Sequence, residues 1–314
     1  MGTRYISEVG RGGALVAEQG GRTTVAVAEG ESVAVPRAAE DLARDLEKVC
    51  GCTAAVSHER ADSRLVVGTI GVSPMIDAAV ASGELDVSTL HTADGLRWEG
   101  FVIATVGDTV YIAGADRRGT IFGVYDVCEA IGVSPWWWFA DAPVRRRERV
   151  VVDAGTHVTD WPSVQYRGIF INDEEEEEEE LEDRARAHTS DTTIGPETYE
   201  RIFELLLRLK ANYIWPAMHV NAFNHDPDNG RLANDMGIVV GTSHCDMLLR
   251  SNEKEFNPGR LRGTDRSSAT TRSQVATARC SCGTGARVSS RTGAMRSPGP
   301  WACAGSTTTA SRRR

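Results

Sequence analysis

The stretch QYRGIFIND, residues 165–173, runs straight into seven consecutive glutamates, Glu174 to Glu180. Its apolar part is too short for a helix and stops at Asn172 and Asp173, so it reads as a buried strand ending on a carboxylate. Two similar runs follow, NYIWPAM (212–218) and IVVGTSH (238–244). Between the first two lies IGPETYERIFELLLRLKA (194–211), a helix by its pattern. Pro196 suits the first turn, Glu197 suits the positive end of the dipole, and Tyr199, Ile202, Phe203, Leu206 and Leu209 form an apolar stripe. NGRLANDMG (229–237) reads as a short helix stopped by Gly237. Strands alternating with helices predict parallel βα units, in an open sheet or in the beginning of a (β/α)8 barrel. Three units do not close such a barrel, which takes about 250 residues.

In parallel βα folds, ligands sit outside the carboxyl ends of the strands. Those ends deliver Asn172, Asp173 and Glu174 after the first strand. The second gives Trp215, His219 and Asn221, with Asn224, His225 and Asp226 a little further on. The third gives Ser243, His244, Cys245 and Asp246. Carboxylate, amide and imidazole groups are thereby expected on one face. The histidines, with Cys245 and Asp246, read either as metal ligands or as hydrogen-bonding groups; no HExxH-type spacing is present, and no metal is expected. Asp173 reads either as a cap for the segment after it or as an acid for sugar hydrolysis. Inverting hydrolysis needs a second carboxyl group about 6.5–9.5 Å away, with water between the two. Glu174–Glu180 read as a solvated acidic insertion, because adjacent like charges resist burial.

Upstream, residues 22–160 alternate strand and helix signals. TTVAVAEG and ESVAVP read as strands, and RAAEDLARDLEKVCG as a helix carrying Ala39, Leu42, Leu46 and Val49. SRLVVGTIG is a strand pattern, SPMIDAAVASGEL a helix, and EGFVIATVGDTVYIAGAD a hairpin turning at Gly107-Asp108. RRGTIFGVYDVCEAIGV is a further helix with Ile121, Val124, Tyr125 and Cys128 on one face. In SPWWWFADAPV the three tryptophans cannot all enter one core, which leaves a domain interface or a sugar-stacking rim. RRRERVVVDAGTHVTDWPSVQ reads as a linker-like transition. The expected organisation is an α/β domain over 1–160, βα units over 161–258, and a tail over 259–314.

The net charge of −9 is unevenly spread. Residues 259–314 hold eleven Arg, one acid (Asp265) and no Lys, a net +10 that leaves −19 for the remainder. The tail has no helical or strand period and is expected to be disordered. Its Arg/Ser/Thr/Gly/Ala composition resembles out-of-frame translation beginning just after Pro258. The acidic body argues against nucleic-acid binding through that tail. Seven cysteines, an odd number with Cys50-Gly-Cys52 spacing, do not make a disulfide framework. No leader or membrane-spanning run is visible, so a cytoplasmic location is expected, or secretion if the true start lies upstream.

Taken together, PSVQYRGIFINDE, GPETYERIFELLLRLKANYIWPAM, NAFNHDPDNGRLANDMGIVVGTSH and GADRRGTIFGVYDVCEAIGVSPWWWFADAPV resemble glycoside hydrolase family 115, over roughly residues 20–258. These are xylan α-glucuronidases, which remove (4-O-methyl-)glucuronic acid from glucuronoxylan with inversion and without a cofactor. The resemblance implies a hexosaminidase-type N-terminal α/β domain, then a catalytic (β/α)8 barrel, here in its first units only. It implies Asp173 as an active-site acid, His244 as a substrate-pocket histidine, and Trp215 and Asn221 as pocket lining. Arg117 and Arg118 either approach a uronate carboxylate or are structural. Cys245 and Asp246 depart from the family pattern. The implied partners are glucuronoxylan or its oligosaccharides, not nucleic acid or membrane, and family members are often dimeric. With the other catalytic carboxylates absent, the 314-residue chain is expected to be an inactive fragment. The competing reading is a non-catalytic carbohydrate-binding protein using Trp136–Trp138.

Overall fold

The computed structural model describes residues 5–9, 12–60, 63–173, 179–191, 193–218, 221 and 223–243, with side chains 179 and 180 excepted. The described residues belong to one compact unit, Met1–Asn257. The expectations for Glu174, for the glutamate run through residue 178, for His219, His244, Cys245, Asp246 and for the basic tail lie outside them.

The chain begins with β1 (Ile6–Ser7), β2 (Ala14–Glu18) and β3 (Arg22–Val27), then α1 (Ala34–Cys50), β4 (Thr53–Ser57), β5 (Leu65–Thr69) and α2 (Pro74–Ala81). A small hairpin, β6 (His91–Thr92) and β7 (Gly95–Leu96), precedes β8 (Phe101–Val106), β9 (Thr109–Gly114) and α3 (Arg117–Ile131). After the tryptophan loop come β10 (Arg149–Val152) and β11 (His157–Asp160). The βα units follow: β12 (Gly168–Phe170), α4 (Glu179–His188), α5 (Pro196–Arg208), β13 (Tyr213–Trp215), α6 (Pro227–Met236) and β14 (Val239–Val240).

A six-stranded sheet of order β11-β8-β9-β5-β3-β4 organises the first part. Strands β3, β4, β5 and β9 run parallel, β8 pairs antiparallel with β9, and β11 pairs antiparallel with β8 at the edge. The expected hairpin is β8–β9, turning at Gly107 with φ +60°. Helix α2 buries Ile76 and Ala79 on one face of the sheet. The other face packs against α1 and α3 through Leu42, Leu46, Val124 and Tyr125. That same apolar cluster continues without a break to Tyr199, Phe203, Ile214 and Met236 in α5, β13 and α6. The βα units form a parallel sheet of order β12-β13-β14, with Ile169 opposite Ile214 and Phe170 opposite Trp215.

Four local expectations change. ESVAVP is not a strand: Ala34–Pro36 open α1, where proline's missing N–H is one the first turn leaves unbonded anyway. The linker-like segment supplies β10, the central strand between β1 and β2, and β11, the edge of the large sheet. The first βα strand is exposed rather than buried, with Ile169 and Phe170 at 43% and 44% exposure, since β12 pairs on one side only. Leu209 lies beyond the end of α5 and outside the core, at 44% exposure.

Candidate active site

Three parallel strands point their carboxyl ends the same way, and the last residues of β12 and β13, Phe170 and Trp215, meet edge-to-face at 5.8 Å. Strand alternation puts them on the face opposite Ile214, which enters the core beneath α5. The Trp215 Nε1–H donates to the Tyr213 hydroxyl at 3.0 Å, fixing the ring. Gly241, just past β14, lies against both side chains: a Cβ there would stand 2.7 Å from Trp215 Nε1. The result is an aromatic wall with one polar edge, suited to the apolar face of a sugar ring.

Asp173 follows β12 and is 4% exposed. Its carboxylate accepts the backbone N–H of Met218 at 3.2 Å and of Asn221 at 2.7 Å, both in the loop after β13. The Asn221 side chain donates to Glu182 of α4 at 3.3 Å. Asp173, Asn221 and Trp215, expected together from sequence, are therefore brought to one end of the same sheet. Asn172 is exposed beside them. Asp226 is occupied elsewhere, capping α6 through the Asp228 N–H, and Asn224 and His225 are exposed in a short 3-10 turn. No group of three potential metal ligands occurs among the described residues.

Arg118 is not part of this site. Its Nε–H donates to the Gly237 carbonyl at 2.7 Å, and its guanidinium pairs with Glu99 at 3.1 Å. Glu99, 2% exposed, also takes Arg167 at 2.7 Å and the Asn212 amide at 2.6 Å. Arg167, Asn212 and Gly237 all precede their strands, so Arg118 ties the amino ends together, opposite the candidate site. Arg117 reaches the Asn234 carbonyl at 3.4 Å on the same side. Sequence reasoning missed the Glu99 hub because its members lie 113 residues apart.

The tryptophan triplet divides three ways. Trp136 is 47% exposed. Trp137 donates to Glu204 at 3.0 Å and carries the Lys48 ammonium 3.7 Å over its ring. Trp138 packs against Phe139, Arg184 and His188. Cys50, Cys52 and Cys128 are free and buried. Burial, reinforced by Cys52, pushes the Cys50 thiol up to about 11, so it is no ready nucleophile. No helix among the described residues is long and apolar enough to cross a membrane.

Comparison with known proteins agrees with the geometry. The sequence model of glycosyl hydrolase family 115 matches residues 159–277. A solved structure of the family 115 4-O-methyl-α-glucuronidase BtGH115A, with specificity for decorated arabinogalactans, superposes with a TM-score of 0.69 at 32% identity, covering 83% of this chain. The present chain spans 33% of that protein's length. Streptomyces plicatus β-hexosaminidase matches at 14% identity and TM-score 0.44, covering 79% of this chain and 45% of that one. No curated protein matches the chain by sequence.

Proposed function

The chain belongs to glycosyl hydrolase family 115, and from that premise we propose that it serves the release of (4-O-methyl-)glucuronic acid from a glucuronoxylan-type polysaccharide, by inversion. The observation that carries the proposal is the 32% identity over 83% of the chain to a 4-O-methyl-α-glucuronidase. The site agrees with it: the Phe170–Trp215 wall offers a ring-stacking surface, and the Asn172 amide is exposed beside it. Hydrolysis also needs a carboxyl pair, one protonating the leaving oxygen and one activating water. Asp173 is a carboxylate at this face, and we expect little turnover from the 314-residue chain.

Incubating the purified chain with glucuronoxylan and with decorated arabinogalactan, and analysing released uronic acids by chromatography, tests the proposal together with retention on gels containing each polymer. Release, or retention lost on Trp215→Ala, supports it. Absence of both on both polymers sinks it. Release confined to arabinogalactan would move the substrate class to that of the relative. The non-catalytic reading rests on the 47% exposure of Trp136. It predicts retention without release that Trp136→Ala abolishes and Asp173→Ala leaves intact.

A further inference from the structure

Four described residues after β13 are buried at the carboxyl end of the sheet. Ala217, Met218, Asn221 and Phe223 are each under 10% exposed, at 0%, 3%, 7% and 3%. A buried N–H without an acceptor is costly, so each must be satisfied locally. Ala217 donates its N–H to the Tyr199 hydroxyl at 3.1 Å and Phe223 to the Ala217 carbonyl at 3.3 Å. Met218 and Asn221 donate theirs to the two oxygens of Asp173. A carboxylate is the acceptor that makes such bonds strongest, and here it spans two amides three residues apart. From Asn221 the chain of contacts continues to Glu182, so loop and helix are joined through one residue.

We infer that Asp173 is a positioning residue: its carboxylate clamps the segment after β13 onto the end of β12, and sugar contacts come from the Phe170–Trp215 wall beside it. The sugar half of this statement rests on the proposed function, whereas the clamp stands on hydrogen bonds alone. Asparagine has nearly the shape of aspartate but presents an N–H where the second loop amide needs an acceptor. Asp173→Asn is therefore the telling variant, since it keeps the size of the side chain but cannot accept both loop amides.

The test compares wild type, Asp173→Asn and Asp173→Ala in the 314-residue chain. Hydrogen exchange at individual amides is read alongside 4-O-methylglucuronic acid binding followed by tryptophan fluorescence. The expected result is exchange at least about tenfold faster at Met218 or Asn221 in both variants, with β3, β5 and β9 amides unchanged. Sugar affinity should fall in step in Asp173→Asn. Wild-type exchange at both amides in Asp173→Asn overturns the inference, whatever happens to sugar binding. If Asp173→Ala does not fold, Asp173→Asn carries the comparison. If wild type binds no 4-O-methylglucuronic acid, the sugar half of the inference fails, and the exchange rates still decide the clamp.

Discussion

Glu204 and Arg208 sit one turn apart on α5, 4% exposed each, and form a buried ion pair at 2.8 Å. Arg208 also reaches Asp45 of α1 at 2.8 Å, and Trp137 and Arg201 complete the shell around Glu204. Burial alone would push the Glu204 carboxyl up, but Arg208, Trp137 and Arg201 outweigh it and hold the group below its ordinary 4.5. A carboxylate depressed in the folded state contributes stability that is full above its unfolded value and is lost as pH falls through the folded one. Urea midpoints should therefore decline as pH drops below about 4.5, and Glu204→Gln should flatten that part of the slope. Arg208→Ala strands two buried carboxylates and is expected to cost about 3–5 kcal/mol in urea unfolding at neutral pH. The i,i+4 spacing of this pair was visible in the sequence. Its burial was not, because Asp45 lies on another helix. Likewise Asp173 announced itself by following a strand, whereas Arg118 pointed the wrong way: an arginine pair opening a helix looks equally suited to a ligand or to a neighbouring carbonyl.

At the scale of elements, helix α3 approaches β9 so closely that a Cβ on Gly114 would lie 2.0 Å from the Thr120 backbone nitrogen, and one on Gly119 2.1 Å from the Gly100 carbonyl. Both contacts are to backbone, which cannot swing aside. Gly114→Ala and Gly119→Ala should each destabilise by about 1–3 kcal/mol or more in thermal or urea unfolding. Gly230→Ala, with nothing within 4 Å, is the control and should raise stability slightly because its site is helical. Helices with an apolar period, α1, α3 and α5, were legible together with their faces. The short strands were harder to read. Three residues of β12 and two of β14 carry almost no period, and their exposure depends on having a neighbour on one side or on two.

Across the whole molecule, the apolar cluster that starts on the large sheet ends under β13 and α6, passing Asp160 without a gap. Helix α5 covers α3, and Lys210, just past it, bridges Asp126 and Asp160 at 2.8 and 2.9 Å. Residues 1–160 produced alone should expose Tyr125, over whose ring Arg208 lies, and bind a hydrophobic dye, and the longer chain should lose β3 and α5 structure in one calorimetric transition. Two well-separated transitions would contradict this. The sequence by itself determined the longer helices, the parallel βα rhythm and the placing of Asp173, Asn221 and Trp215 at one end of the strands. Each of those follows from periodicity, or from the rule that every parallel strand delivers its last residue to the same side. Only the tertiary structure decided that Arg118 serves the opposite end, that β10 and β11 return to the first sheets, and that the Asp173 carboxylate meets two loop amides. These depend on which distant segments come within about 3 Å of one another, and hydrogen bonds and close packing act only at that range.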